Sequence, residues 1–192
     1  KAQALVLAGR VYIAEQRVEK AGDKVALDAE LVVRGDPHPW VSRGGVKLCG
    51  ALDGFGVDPS GMLAVDVGAS TGGFTDVLLS RGARLVYAVD VGHGQLHSRL
   101  RVDPRVRVFE RTNARVMTPA TLELPGTVVD LVVVDASFIG LDKLLPAITS
   151  LLRVGGQLLA LVKPQFQLAP ADVGRGGVVR DDALRAKASS VV

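Results

Sequence analysis

The chain has 192 residues, enough for one sizeable domain or a domain with a small module. Nearly half of them are hydrophobic but only 4% are aromatic, so the core is aliphatic, and no run approaches the roughly 18 uninterrupted apolar residues that span a bilayer. A single cysteine, Cys49, excludes an internal disulfide and a multi-cysteine metal site, and the net charge of +3 is spread too thinly to identify a partner by itself.

The most apolar stretch, VVDLVVVDASFIGL, is broken twice by Asp, and no secretory pattern opens the chain. His38, His93 and His97 have no metal-ligand spacing. His93 and His97 lie four apart and read as a polar surface pair on one helix face, so no metal is expected. The composition reads as that of a cytoplasmic protein in a reducing compartment, with no membrane partner.

Residues 1–33 form the first unit. KAQALVLA has a helical pattern with Gly9 as its C-cap, followed by the β-prone pieces RVYI, QRVEK and ALDAELVV. Lys1, Arg10, Arg17, Lys20 and Lys24 make the unit basic, which fits either a solvated surface or contact with phosphates. RGDPHPW, residues 34–40, carries two Pro and a Gly and reads as a linker.

From residue 41 the pattern alternates between helix and strand. The helix SRGGVKLCGALDGF leads to the strand MLAVDV, a glycine turn and the helix GGFTDVLLSRG. Strand two, RLVYAVD, is followed by a helical QLHSRLRVD, strand three is RVRVFE and strand four is TVVDLVVVD. Then come the helix LDKLLPAITSLLR, strand five GGQLLALVK, a Gly/Pro loop and the helix DDALRAKASSVV. Strands apolar on both faces and alternating with helices specify a Rossmann-like α/β domain, a doubly wound parallel sheet covered on both sides. The chain starts and stops inside helical patterns and lacks an initial Met, so it reads as a fragment.

The turn after strand one, DVGASTGGFT, holds the first functional signal. A dinucleotide fingerprint G-x-G-x-x-G fails because Ser70 stands at its second glycine, and the phosphate-cradling GxxxxGK[ST] is absent. A ligand without phosphate, S-adenosylmethionine, fits what remains. Its charged amino-acid end meets Asp66 and the turn Gly68, Ala69, Ser70, Gly72 and Gly73, with Phe74 opening the next helix. Asp90 ends strand two, where a carboxylate takes ribose hydroxyls. Asn113, after strand three, is placed to read an adenine edge. The plain alternative is a turn that joins strand to helix, with Asp66 and Asp90 as helix caps.

Strand four ends in Asp135-Ala136-Ser137-Phe138, not the [DNS]PPY of enzymes that methylate base amino groups, and Cys49 lacks the preceding Pro of cytosine-C5 enzymes. Strand five ends in Lys163, and Lys47 lies on the helix before strand one. An Asp with two lysines suits deprotonation of a sugar hydroxyl, because burial and a second cation disfavour a charged lysine while the Asp orients it. Taken singly, Lys163 also reads as an ordinary strand-end lysine and Asp135 as a turn residue.

WVSRGGVKL, DVGASTGGFTDVLL, VDVGHGQL, RVFERTNAR, VVVDASFI, LVKPQFQ and VGRGGVVRD together resemble the TlyA (hemolysin-A-like) family. The resemblance implies an S-adenosylmethionine-dependent ribosomal RNA cytidine 2′-O-methyltransferase. Its FtsJ-like domain occupies residues 41–192, and 1–33 resemble most of a small ribosomal-protein-type (S-four) RNA-binding domain. FtsJ-type enzymes use a Lys-Asp-Lys-Glu tetrad, whose first three members fall by motif on Lys47, Asp135 and Lys163. The fourth, and the last two strands of the sheet, lie beyond residue 192. Gln167 stands where the family commonly has Glu. Arg175 and Arg180, in VGRGGVVRD, join Lys1, Arg10, Arg17 and Lys20 as expected RNA contacts. The competing readings are a pore-forming protein, as the family's older name implies, a non-catalytic RNA-binding protein, and a small-molecule methyltransferase.

Overall fold

The computed structural model describes residues 2–7, 9–35, 38–126 and 128–190. The chain separates into two compact units, Lys1–Pro39 and Trp40–Val192.

The first unit opens with α1 (Ala2–Leu7), which ends at Gly9 in the left-handed conformation, φ +68°, with its N–H on the Val6 carbonyl. A three-stranded antiparallel sheet follows, in the order β2-β1-β3, from β1 (Val11–Ile13), β2 (Gln16–Arg17) and β3 (Leu31–Val33). The strand expected over ALDAELVV is confined to its last three residues. Ala29 N–H instead closes a turn on the Ala26 carbonyl, and Leu27 is fully exposed. Alternation alone does not make a strand where no partner edge is in reach. Arg34 lies 4.4 Å over the Tyr12 ring and 2.9 Å from Glu15.

The second unit has the expected doubly wound parallel sheet. Its elements are α2 (Gly44–Phe55), β4 (Leu63–Val67), α3 (Gly73–Ser80), β5 (Leu85–Val89), α4 (Ser98–Arg101), β6 (Val106–Phe109), β7 (Val129–Val134), α5 (Leu145–Leu151) and β8 (Leu152–Ala160). The strands run β6-β5-β4-β7-β8, all parallel, so the order reverses at β4. Two short pieces follow, α6 (Pro164–Gln167) and α7 (Asp182–Ser190), the latter capped by Asp181 Oδ1 accepting from Ala183 and Leu184 N–H.

Every residue of β4 is buried, and its alternation divides the core. Ala64 packs with Leu48 and Leu52 of α2 and Phe74, Val77 and Leu78 of α3 on one face. Leu63, Val65 and Val67 pack with Ile148 and Leu151 of α5 on the other. Period two therefore puts Asp66 on the face of α2 and α3.

Two expected helices are shorter than their patterns. QLHSRLRVD yields only the single turn of α4, capped by His97 Nδ1 accepting from Arg99 N–H. The helix over LDKLLPAITSLLR starts as a 3₁₀ turn at Leu141–Lys143, resumes as α5 and stops at Leu151. There Leu152 pairs with Val129 in the β7–β8 ladder and Arg153 Nε meets Asp130 Oδ1 at 2.6 Å. Sheet pairing overrides helix propensity, and the excess chain is absorbed by an irregularity in register between Val129 and Leu131.

Candidate active site

The carboxyl end of β4 turns sharply at Gly68, where φ is +85°. A Cβ at this position would lie 2.9 Å from the Asp135 carbonyl oxygen and 3.1 Å from Ala136 Cα. Only glycine lets the first turn approach the end of β7 so closely. Gly68 and Ala69 N–H both bond to the Val89 carbonyl, at 2.9 and 3.1 Å, which ties the turn to β5 as well. Gly72 and Gly73 meet packing needs. A Cβ on Gly72 would strike Leu100 and Leu96 beside α4, and one on Gly73 would strike Ser42 Oγ and Gly45 N at the start of α2.

Asp66 stands behind this turn, not on a recess wall. Its carboxylate is inaccessible to solvent, with Oδ2 accepting from Thr75 N–H at 2.9 Å and Thr75 Oγ–H at 2.7 Å. Oδ1 has no hydrogen-bond partner. Burial is the main cause that pushes its pKa up to about 7, opposed by the Thr75 hydrogen bonds and assisted by the charges of Asp135 and Asp90. The expected meeting of Asp66 with a ligand's charged end is thus replaced by a bracing contact to the first turn of α3, as its strand parity dictates.

Asp90 is at the end of β5. Its Oδ2 accepts from Ser70 N–H at 2.8 Å and its Oδ1 from Gly92 N–H at 2.7 Å, so the carboxylate is fixed in position while lone pairs remain for a ligand. Ser70 Oγ reaches Gln95 Oε1 at 3.2 Å. After β6, Asn113 Oδ1 accepts from Arg115 N–H at 3.0 Å. One strand-end neighbour is strongly acidic: the Arg101 guanidinium, with Gly94 N–H, holds the Glu110 carboxyl down to about 2.

These strand ends enclose a recess of about 370 Å³ at the point where strand order reverses. Gly68, Ser70, Asp90, Asn113 and Asp135 lie on its wall beside apolar Val67, Val89 and Ile139. A smaller recess of about 210 Å³ adjoins it, lined by Ser42, Lys47, Ala69, Gly73, Phe74 and Asp135. Gly68, Ser70 and Asp135 belong to both. A larger hollow, about 690 Å³, lies between α2 and β8; it is mainly apolar, with Lys47 and Gln157 as the polar side chains on its wall.

Lys47, Asp135 and Lys163 come together from α2, the end of β7 and the N-cap of α6; the strand expected to end in Lys163 stops three residues earlier, at Ala160. Lys47 Nζ is 3.2 Å from Asp135 Oδ2, and Lys163 Nζ is 2.5 Å from Asp135 Oδ1. Lys163 and Asp135 are 16% and 17% exposed, against 50% for Lys47, so the pair is largely shielded and Lys47 faces outward. Lys163 Nζ also donates to Ser137 Oγ at 2.8 Å and to the Asp135 carbonyl at 3.3 Å. Lys47 is placed by the start of α2, where Val41 N–H bonds Asp76 Oδ2 at 2.8 Å. The Trp40 ring lies so close to Gly45 that a Cβ there would be 2.5 Å from it.

Sequence reasoning missed Ser42, Asp76, Gln95 and Ser137. Asp76 had a signal, an acid in the first turn of a helix. Phe138, next to Ser137, has φ +66° and is 91% exposed, with its ring 5.3 Å from that of Phe166. Gln167 Oε1 accepts from Leu141 N–H at 3.2 Å. Of the expected RNA contacts, Lys1 and the side chain of Arg175 lie outside the described residues. Arg10 is half-buried, Arg17 is paired with Glu19 at 2.7 Å, and Lys20 and Arg180 are exposed. His93 pairs with Glu110 at 3.0 Å, and no group of three metal-ligating side chains occurs among the described residues.

The geometry has relatives. Residues 40–192 match the model of the FtsJ-like methyltransferase family. The chain is 48% identical over 188 residues to the 16S/23S rRNA (cytidine-2′-O)-methyltransferase TlyA of Mycobacterium tuberculosis, covering 97% of this chain and 69% of that one. It is 40% identical to Hemolysin A of Brachyspira hyodysenteriae, with 97% and 77% covered. A solved structure from Streptococcus thermophilus that carries the hemolysin label superposes with a TM-score of 0.80 at 43% identity, covering 98% of this chain and 68% of that one. The chain spans about two thirds of the length of most such relatives. A strand order that reverses over a glycine turn, a carboxylate flanked by two lysines, and identity sustained across both units leave one assignment: this chain belongs to the TlyA/hemolysin A family, and residues 40–192 are its FtsJ-like methyltransferase part.

Proposed function

We propose that this chain carries out S-adenosylmethionine-dependent 2′-O-methylation of cytidine in ribosomal RNA, in the cytoplasm. The observation that carries the reading is Asp135, held between Lys47 and Lys163 where the two recesses meet. In this reading 1–33 is a partial S-four-type RNA-binding domain, 34–40 a linker and 41–192 the methyltransferase domain.

The larger recess fits S-adenosylmethionine in its donor set. Asp90, braced by two N–H groups, is an acceptor for paired ribose hydroxyls, and Asn113 offers an amide beside it. Val67, Val89 and Ile139 give apolar walls, and Gly68, without a Cβ, keeps the turn against Asp135. When bound, this cofactor supplies an electrophilic methyl group on a sulfonium.

The rest falls to the chain's own residues. A ribose hydroxyl is a poor acid at neutral pH, so a base must take its proton as the oxygen becomes nucleophilic. Lys163 is that base, aimed by the Asp135 carboxylate and shielded from water. Lys47, on the opposite oxygen of Asp135, keeps the carboxylate in place and faces the smaller recess, where the RNA ribose enters. Exposed Lys20 and Arg180 are candidates for phosphate contacts, and so are Arg10 and Arg17 of the first unit.

Single-turnover methyl transfer from labelled cofactor to ribosomal RNA, using the complete gene product, tests the reading. Lys163→Ala abolishes transfer while cofactor affinity stays near wild type. Lys163→Arg fails as fully, because a guanidinium stays protonated. Near-normal transfer by the Arg variant removes Lys163 as the base.

A further inference from the structure

On the reading above, Lys163 must aim a lone pair at a hydroxyl, and its surroundings say how. Three oxygens surround Nζ: Asp135 Oδ1 at 2.5 Å, the Asp135 carbonyl at 3.3 Å and Ser137 Oγ at 2.8 Å. The Oδ1 contact is an ion pair without an aligned hydrogen bond, and the carbonyl contact is long. Ser137 therefore accepts the best-formed hydrogen bond of the three.

The three oxygens differ in what they can do when Lys163 is neutral. An ammonium has three donors, whereas the amine has two donors and one lone pair. Carboxylate and carbonyl oxygens only accept. The Ser137 hydroxyl can accept from the ammonium or donate to the amine. In the neutral amine the two N–H groups therefore turn to the two Asp135 oxygens, which can only accept, and the lone pair settles toward Ser137, on the wall of the larger recess.

The turn that presents this hydroxyl is strained. Phe138 sits in the left-handed region at φ +66°, rare for an aromatic residue, and as the residue is 91% exposed, burial does not hold it there. Its ring tilts against Phe166, three residues after Lys163, which links the loop of Ser137 to the segment that carries the base.

We propose that Ser137 is a positioning residue for proton removal. Its hydroxyl holds Nζ while Lys163 is charged and fixes the direction of the lone pair once it is neutral. The substrate hydroxyl, reaching past Asp135 from the smaller recess, then replaces Ser137 as the partner of that lone pair. The proton passes from the substrate oxygen to Nζ, one N–H bond forming for the O–H bond lost, and Ser137 keeps its own proton. This assignment rests on the methyltransferase reading.

Two measurements on the complete gene product separate the assignments. Without any substrate, ¹⁵N NMR follows exchange of the Lys163 Nζ protons with water. Ser137→Ala speeds this exchange severalfold, and Ser137→Thr, which restores a hydroxyl on the same carbon, returns it toward wild type. In single turnover, Ser137→Ala slows methyl transfer about tenfold, the loss of one charge-assisted hydrogen bond, with RNA and cofactor Kd unchanged and Thr rescuing most of the rate. Equal exchange in all three proteins overturns the assignment of Ser137, as does a slow Ala variant that Thr does not rescue. An exchange difference with no methyl transfer by the wild type overturns the reaction itself, and the role of Ser137 with it.

Discussion

Replacing Gly68 with Ala tests whether the approach of the glycine turn to β7 builds the site. Two penalties act at this position. An L-residue held at φ +85° costs about 1–2 kcal/mol. The new methyl group would also sit 2.9 Å from the Asp135 carbonyl oxygen and 3.0 Å from its carbon. Backbone atoms cannot swing away as a flexible side chain does, so overpacking adds about 1–3 kcal/mol. Gly94 supplies the control: its φ is +70° but a Cβ there meets nothing within 4 Å, so Gly94→Ala carries the conformational penalty alone. For a domain of this size, 1 kcal/mol lowers Tm by about 2–4 °C. Gly68→Ala should therefore unfold roughly 2–12 °C below Gly94→Ala in calorimetry. It should also weaken cofactor binding, because relief of the clash displaces Asp135. Equal melting temperatures for the two variants would refute the close-approach argument.

Asp66 makes stability depend on pH. Its folded pKa of about 7 lies above the ordinary 3.8, so stability is greatest below pH 4 as far as this group is concerned and falls as pH rises to about 7, by up to about 4 kcal/mol. Asp66→Asn should flatten the fall in Tm across that window; an unchanged slope would show that the carboxylate ionises freely in the fold. Asp90→Ala leaves Ser70 and Gly92 N–H without their acceptor and removes the expected ribose partner, so calorimetry should find cofactor affinity reduced by about 1.5–3 kcal/mol, and unchanged affinity would sink the assignment. Deleting residues 1–33 should weaken binding to ribosomal RNA and flatten its salt dependence, measured as log Kd against log salt; an identical slope returns the unit to an ordinary surface.

Much of the second unit was legible in the sequence because its signals are local. Strands apolar on both faces stand out from flanking helices, and the chemical residues other than Lys47, which lies in α2, fall within a few positions of a strand end or the glycine turn. What failed depended on partners. The early start of β8 needs Asp130 opposite Arg153 and Val129 opposite Leu152, neither of which periodicity contains. The basic look of 1–33 ignores that Glu19 takes up Arg17, whereas Glu15 pairs with Arg34 of the adjoining linker. The placement of Asp66 was available and went unused: Leu63, Val65 and Val67 share one face, so Asp66 belongs with Ala64 behind the turn.

The missed residues explain why two recesses are needed. A binding module requires one concave site, and the larger recess would suffice for it. Here a second recess opens on the other side of Gly68, Ser70 and Asp135. The side chain between them is neither apolar nor inert, since each oxygen of Asp135 carries a lysine, one shielded and one exposed. The shielded lysine donates to Ser137 on the larger recess, and the exposed one lines the smaller. On the proposed reading, Asp135 at this boundary holds the proton acceptor Lys163 beside both ligands, which a transfer reaction requires and simple retention of either ligand does not. The three groups come from α2 and from just beyond β7 and β8, elements separated in sequence, so their spacing depends on the β7–β8 register and on the glycine contacts at Gly45 and Gly68. The catalytic geometry is thus set by the sheet's packing, and a substitution that loosens either glycine contact should damage transfer before it unfolds the chain.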